Sequence, residues 1–279
     1  MDADIAVDAD LVRALVREQH PDLDAPLTAA AVGWDNAIYR LGVDLAVRVP
    51  RRRVAADLIR GEQRWLPRLA PTLPVPIPAP VRIGRPTERH PWPWSITPWL
   101  PGTVVAAVPV PARAALAEPL AAFLTALHTP APAGVAPNPV RGVPLSARAS
   151  AMAERVPPAL RGLWQELASV PYWAGPPLWV HGDLHPANLL AAPDGLLAAV
   201  LDFGDLTAGD PATDLAAAWL VFDAPARAAF RAGLAYEEDT WQRGRGWALT
   251  IAAAVAADPT GTPQMHAVAA HALREVVRG

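Results

Sequence analysis

His181-Gly182-Asp183-Leu184-His185-Pro186-Ala187-Asn188 is followed by Leu201-Asp202-Phe203-Gly204-Asp205 and then by Gly209-Asp210-Pro211-Ala212-Thr213-Asp214. Asp183 and Asn188 stand five residues apart, the D-x-x-x-x-N spacing of a phosphoryl-transfer loop, and Asp202 opens a D-F-G triplet downstream. A phosphoryl group in flight asks mainly for position and charge neutralisation. One carboxylate orients the accepting hydroxyl and takes its proton, and oxygen ligands hold Mg²⁺ against the phosphates. On this reading Asp183 is the catalytic base, and Asn188 and Asp202 are the metal ligands. Taken singly, Asp183 and Asp202 read equally well as caps of turns and Asn188 as an ordinary loop residue. Their combination is what points to a site.

The flanks agree with that combination. Pro177-Leu178-Trp179-Val180 is an apolar run entering the loop, Leu189-Leu190-Ala191-Ala192 leaves it, and Pro193-Asp194-Gly195 turns the chain into residues 196–201. The order is strand, loop, strand, turn, strand, with Asp202 at the end of the last.

The H-G-D-L-H-P-x-N-L-L form of this segment resembles the aminoglycoside phosphotransferase family, antibiotic and small-metabolite kinases related in fold to protein kinases. The resemblance implies an α+β, two-lobed protein-kinase-like fold with an N-lobe of antiparallel sheet plus helix and a mainly helical C-lobe. It also implies a nucleotide cleft, ATP or GTP as co-substrate, Asp183 as base, and Asn188 and Asp202 as Mg²⁺ ligands. His181 and His185 would help to hold the catalytic loop. Asp210 and Asp214 match the family's second acidic motif. Pro211 between them suits a first helical turn and acids suit its N-terminus, so capping accounts for both.

The upstream half can be tested for a nucleotide-binding lobe. Residues 29–36 lead into 37–42, and Val43-Asp44 turns into 45–50, three β-like runs with Gly and Asp or Asn at the bends. The first bend lacks G-x-G-x-x-G and offers Gly33-Trp34-Asp35-Asn36. Gly33 and Asn36 are the residues expected to approach the phosphates, although a plain hairpin turn fits the bend equally well. The chain has no lysine at all, so Arg48 must supply the cation that a third strand presents to the α and β phosphates. Residues 54–69 place Val54, Leu58, Trp65 and Leu69 at roughly helical spacing and put Glu62 where the partner of that cation would lie. The alternatives are a strand-edge arginine and a glutamate on a solvated helix face.

Residues 91–112 carry no charge, yet the prolines among them argue against a membrane span and for an interlobe linker. Residues 1–98 are assigned to the nucleotide-binding lobe and 99–279 to the catalytic and substrate-binding lobe. Ser95, Ile96, Thr97 and Trp99 are the hinge, whose backbone meets the purine by analogy with kinases; a rigid proline-rich linker fits the same residues. Further on, 111–128, 150–168, 214–222, 239–256 and 262–277 read as helices, and 130–144 as a Pro/Gly-rich connection. Trp241 and Trp247 are the two tryptophans to suspect near a substrate.

Composition bounds the rest. The 279 residues are 52% hydrophobic, enough for two lobes with their own cores, and the net charge of −3 offers no attraction to nucleic acid or an anionic membrane. No cysteine is present, so disulfides and thiolate chemistry are excluded. The acidic N-terminus has no basic segment followed by an apolar run, so a cytoplasmic location is expected. From Thr103 onward fifteen acids face eleven arginines, a surplus that suits a cationic aminoglycoside, while the alanine, valine and tryptophan of that half suit a macrolide or another apolar alcohol. The partners expected are therefore a nucleoside triphosphate and a small-molecule hydroxyl compound. Two further readings stay open: kinase of a small alcohol metabolite, and a catalytically silent nucleotide-binding scaffold. The sequence does not determine the oligomeric state.

Overall fold

Asp8 accepts a hydrogen bond from Leu11 N–H at 2.8 Å and starts helix α1, Ala9–Gln19, which turns Val12, Leu15 and Val16 inward at helical spacing. The computed structural model describes residues 3–32 and 35–279, so the Gly33 expectation lies outside the described residues. Helix α1 covers a sheet whose strands are β1 (Leu27–Val32), β2 (Asn36–Leu41), β3 (Leu45–Pro50), β4 (Arg82–Gly84) and β5 (Trp94–Pro98). The sheet is antiparallel in the order β1-β2-β3-β5-β4. Ala37, Tyr39 and Leu41 alternate along β2 and join Val47, Val49, Trp94 and Ile96 beneath α1.

Helix α2, Arg53–Leu69, follows β3. The face it buries is Ala55, Ala56, Ile59, Glu62, Trp65, Leu66 and Leu69, whereas Val54 is 51% exposed and Leu58 half-buried. The expected stripe holds at Trp65 and Leu69, and in the first turns it is carried by Ala55, Ala56 and Ile59 in place of Val54 and Leu58.

The remainder is mostly helical and begins with strand β6, Thr103–Val104. A 3-10 segment, Val110–Leu116, runs into α3, Ala117–Leu127, and the stretch Val110–Leu127 is apolar enough by composition to cross a membrane. Its Leu116, Leu120, Phe123, Leu124 and Leu127 are instead buried within this unit. The expected helix over 150–168 is interrupted: α4 (Ala149–Met152) and α5 (Arg161–Ala168) are separated at Pro157 and Pro158, which start a new turn. Strand β7 (Leu178–Val180) precedes the central loop, β8 (Leu189–Ala191) and β9 (Leu197–Val200) follow it, and β10 (Thr207–Gly209) pairs back onto β7. Two short helices, α6 (Ala212–Leu215) and α7 (Ala217–Leu220), replace the single helix expected over 214–222. Helix α8, Ala224–Ala232, was not foreseen, although Asp223 caps it at Ala226 N–H and Pro225 stands in its first turn. Helices α9 (Glu238–Ala256) and α10 (Pro263–Arg278) complete the chain and bury Trp241 and Trp247, 3% and 0% exposed, in the helical core. That burial removes both tryptophans from consideration as substrate contacts.

By its internal contacts the chain divides into two compact units, one ending at Leu100 and the other beginning at Pro101, with Leu73–Val75 grouped with the second.

Candidate active site

In the first unit Arg48 points from β3 to Glu62 on α2, both almost fully buried, with Nη1 at 2.9 Å from Oε1 and 2.8 Å from Oε2. The expected pair forms. Arg48 lies opposite Ser95 in the β3–β5 ladder, and Gln63 Nε2 on α2 donates to Ser95 Oγ at 3.1 Å and to the Trp94 carbonyl at 2.9 Å. Asn36 begins β2 with its Oδ1 buried and, among the described residues, without a hydrogen-bond partner.

The expected hinge is in large part a strand. Ser95 and Ile96 pair with Arg48 and Val47 on one side and with Ile83 and Arg82 on the other, and Thr97 pairs with Ala46. The side chains of Ser95, Ile96 and Thr97 are buried inside the sheet. Trp99 lies past the strand end, where its N–H donates to the Asp44 carbonyl at 2.7 Å and the Arg40 guanidinium sits 5.0 Å above its ring. Proline-rich composition concealed this strand: Pro91 and Pro93 precede it, and Pro98 is its last residue, opposite Leu45, so none interrupts its pairing.

In the second unit the loop after β7 is held by a carboxylate far along the chain. Asp214 of α6, fully buried, accepts the His181 N–H at 2.7 Å and the Gly182 N–H at 2.8 Å. Its Oδ2 also lies 3.1 Å from His128 Nε2, and His128 Nδ1 lies 2.8 Å from the Tyr236 hydroxyl. Asp214 is thus no helix cap; it fixes the entry of the loop. Asp210 does serve its helix, accepting the Ala212 N–H at 3.0 Å, and pairs with buried Arg243 at 2.7 Å. Gly182 adopts φ +90° against the Asp205 backbone, where a Cβ would stand 2.6 Å from the Asp205 carbonyl oxygen, so only glycine fits. His181 accepts the Asp183 N–H on Nδ1 at 3.2 Å and donates from Nε2 to the Leu201 carbonyl at 2.9 Å, which ties the loop to the end of β9.

Asp183 emerges from this frame with its side chain 28% exposed. Arg141 Nη2 stands 3.3 Å from Oδ1 and His185 Nε2 3.2 Å from Oδ2, while Asn188 Nδ2 donates to the Asp183 carbonyl at 2.9 Å and to Oδ2 at 3.3 Å. Burial pushes the Asp183 carboxyl up, but the His185 and Arg141 charges outweigh it and hold the group well below the usual carboxylate range. For His185 burial acts downward, and the facing Asp183 carboxylate more than offsets it, so its pKa is raised.

Asn188 turns its amide nitrogen to Asp183, which leaves its carbonyl oxygen for a cation. Its own backbone carbonyl accepts the Leu201 N–H at 2.8 Å, bringing Asn188 beside the segment that carries Asp202. Asp202 has φ +56°, the one non-glycine residue with positive φ among the described residues, and its side chain is exposed. Such a backbone costs ~1–3 kcal/mol and is the kind of strain that survives at functional sites. An amide oxygen and a carboxylate on adjoining segments are hard-oxygen donors of the kind that fits magnesium, which keeps waters and phosphate oxygens for its remaining positions.

Arg141, Asn138, Asp205 and His128 are the residues that sequence reasoning missed. Arg141 also faces Asp205 Oδ2 at 3.4 Å, and Asn138 Nδ2 donates to Asp205 Oδ1 at 2.8 Å. Arg141 is placed by its neighbour Gly142, at φ +66°, whose N–H donates to Thr213 Oγ1 and whose carbonyl accepts from Asp210 N–H and the Tyr172 hydroxyl. The Pro/Gly-rich connection over 130–144 is therefore ordered by the strands and helix it crosses. Beside Asp183 and His185 a cavity of about 190 Å³ opens between Arg141, Arg148, Met152 and the α9 residues Thr250, Ile251, Ala254 and Val255.

A family model described as the phosphotransferase enzyme family matches residues 26–247. Among solved structures, the GDP complex of wild-type aminoglycoside 2'-phosphotransferase-IIIa is similar with TM-score 0.72 at 19% identity, covering 98% of this chain and 99% of its own. The GDP and kanamycin complex of APH(2")-IIia follows with TM-score 0.71 at 20% identity, over 96% and 99%. Macrolide 2'-phosphotransferase MphH from Brachybacterium faecium, as apoenzyme, has TM-score 0.62 at 25% identity, over 95% and 98%. No curated protein matches the chain in sequence. The likeness establishes the expected fold class, α+β and protein-kinase-like, with an antiparallel-sheet unit followed by a mainly helical one.

Proposed function

The chain belongs to the phosphotransferase enzyme family, and from that premise we propose that it transfers the γ-phosphoryl group of ATP or GTP to a hydroxyl of a small molecule, of the aminoglycoside or macrolide antibiotic type. The observation that carries the reading is the setting of Asp183: a partly exposed carboxylate, ionised by its surroundings, on the wall of a cavity and on a loop anchored at both ends.

Asp183 accepts the hydrogen bond of the incoming hydroxyl and so aims the oxygen lone pair at phosphorus. As the new O–P bond forms and the bond to the nucleoside diphosphate breaks, the hydroxyl proton passes to Asp183. A carboxylate held this acidic is a weak base. That suits a loose transition state, in which the hydroxyl keeps its proton until bond formation is well advanced and orientation matters more than basicity. Arg141 and His185 keep the carboxylate from rotating. Arg48, fixed by Glu62, is the cation for the α and β phosphates, and the Asn36 amide is the polar group for the phosphate cover. Asn188 and Asp202 would hold magnesium, which supplies charge neutralisation at the phosphates when bound.

The test is transfer of labelled phosphate from ATP and from GTP, with magnesium, to aminoglycosides, macrolides and small alcohols, for wild type and Asp183→Asn. Asp183→Asn is expected to keep its fold and nucleotide affinity and to lose turnover by ~10²–10⁴-fold. Nucleotide binding without transfer to any hydroxyl would favour a silent scaffold instead.

A further inference from the structure

The cavity beside Asp183 does not share the acidic surplus of its half of the chain. Of its lining, Arg141 and Arg148 are cationic, Met152, Ile251 and Val255 are apolar, and Asp183 is the single acid. The charge of Asp183 is already met by Arg141 and His185, and that of Asp205 behind it by Arg141 and Asn138. Arg148 has no such counterpart. It makes no ion pair or side-chain hydrogen bond among the described residues, and its Nε is buried without a partner. Arg141 and Arg155 stand near enough to add to the effect of burial in making the Arg148 cation costly. Arg148 as a whole is half-buried, and a guanidinium whose Nε is shut off from water and protein acceptors among like charges is favoured by an anion that comes to it.

We propose that this cavity receives the phosphoryl acceptor and that Arg148 binds an anionic group of it, a carboxylate or a phosphate, while Met152, Ile251 and Val255 take its apolar body. The inference rests on the phosphotransfer part of that reading and departs from its antibiotic-type acceptor. A guanidinium offers either anion two parallel N–H donors, and an anion in that place satisfies the orphaned Nε. The same arginines repel a polycation, so specificity here has a repulsive element. The cavity, about 190 Å³ and open to solvent, seats the anionic group and the apolar part of the acceptor beside it. The cationic acceptor suggested by the net charge of residues 103–279 is disfavoured for this local reason.

The experiment compares full-length wild type with Arg148→Gln and Arg148→Lys in calorimetric titrations. The probes are a graded set of small hydroxy acids such as glycerate and 3-phenyllactate, their uncharged amides, glycerol 3-phosphate against glycerol, and kanamycin. At least one anion should bind wild type ~10-fold or more tightly than its neutral counterpart. That preference should collapse in Arg148→Gln and return in part in Arg148→Lys; the acid and phosphate arms tell which anion is preferred. Equal binding of anions and neutral partners throughout, a preference that survives Arg148→Gln, or kanamycin displacing the anions would overturn the proposal. Phosphate transfer is followed in parallel. An Arg148-dependent anion preference with no transfer to any hydroxyl leaves the binding site and defeats the kinase reading, whereas transfer to neutral or cationic acceptors, unchanged in Arg148→Gln, does the reverse.

Discussion

Arg141 and Asp183 are 42 residues apart in the chain, and Arg141 Nη2 lies 3.3 Å from Asp183 Oδ1. The same guanidinium faces Asp205, so it joins the loop after β7 to the segment after β9. Arg141→Gln removes the charge that helps keep Asp183 ionised and one of the contacts that orient it. Turnover should fall by ~10-fold or more with a smaller change in nucleotide KM, because misplacement of a reacting group acts on the transition state. The acid limb of the kcat profile should also move to higher pH, since the Asp183 carboxyl rises when the cation goes. An unmoved acid limb would assign Arg141 to packing alone.

The His185–Asp183 contact carries a pH dependence of stability whose sign can be worked out. His185 is raised above its ordinary 6.5, so its contribution is fully present below about pH 6.5 and is lost as pH rises through the higher folded value. Asp183 is lowered below its ordinary 3.8, so its contribution is present above about pH 3.8 and is lost only as pH falls through the lower folded value. Protonating His185 gives up the Ala187 N–H bond to Nδ1, a long one at 3.2 Å, and gains the full charge of Asp183 at 3.2 Å. Melting curves of wild type and His185→Gln should therefore differ most at about pH 5–6 and converge in alkaline buffer. A gap that widens with pH would reverse the assignment.

What the sequence disclosed and what it hid have a common cause. Asp183, Asn188 and Asp202 lie within 20 residues on loops bounded by short apolar strands, so a local pattern suffices to find them. Arg48 and Glu62 are likewise separated by one turn and half a helix. Arg141 reaches Asp183 from a Pro/Gly-rich connection whose course is set by Thr213, Asp210 and Tyr172, contacts that no period in the sequence encodes. The strand over Trp94–Pro98 was masked by its prolines for a related reason: its pairing depends on β3 and β4, which are distant in the chain.

Asp214 is the structural counterpart of Asp183. Replacing it with alanine strips acceptors from two buried backbone N–H groups and from His128 at once, and removes no group that faces the cavity. Leaving buried donors unpaired in this way costs ~3–5 kcal/mol. Asp214→Ala should lower Tm and denaturant midpoint accordingly, and Asp214→Asn, which keeps one acceptor oxygen, should recover part of the loss. Equal stability of Asp214→Ala and wild type would show that the loop is held by its histidines.

Arg48 and Glu62 share a buried contact in which one guanidinium nitrogen serves both carboxylate oxygens. Arg48→Ala should raise the nucleotide KM and lower transfer, since the phosphate cation is gone. Glu62→Ala should do the same less severely, because Arg48 keeps its charge but loses the group that aims it. Arg48→Lys should restore only part of the loss, as an ammonium replaces the charge and not the planar fork. If the two residues act as a unit, the double variant should be little worse than Arg48→Ala, with a coupling energy of ~1–3 kcal/mol in the cycle. Strictly additive losses in KM would mean that Glu62 supports the helix on its own account and that Arg48 meets the phosphates without it. Measuring the cycle in nucleotide affinity and in thermal stability separates the two, because a purely structural pair couples in stability and leaves KM additive.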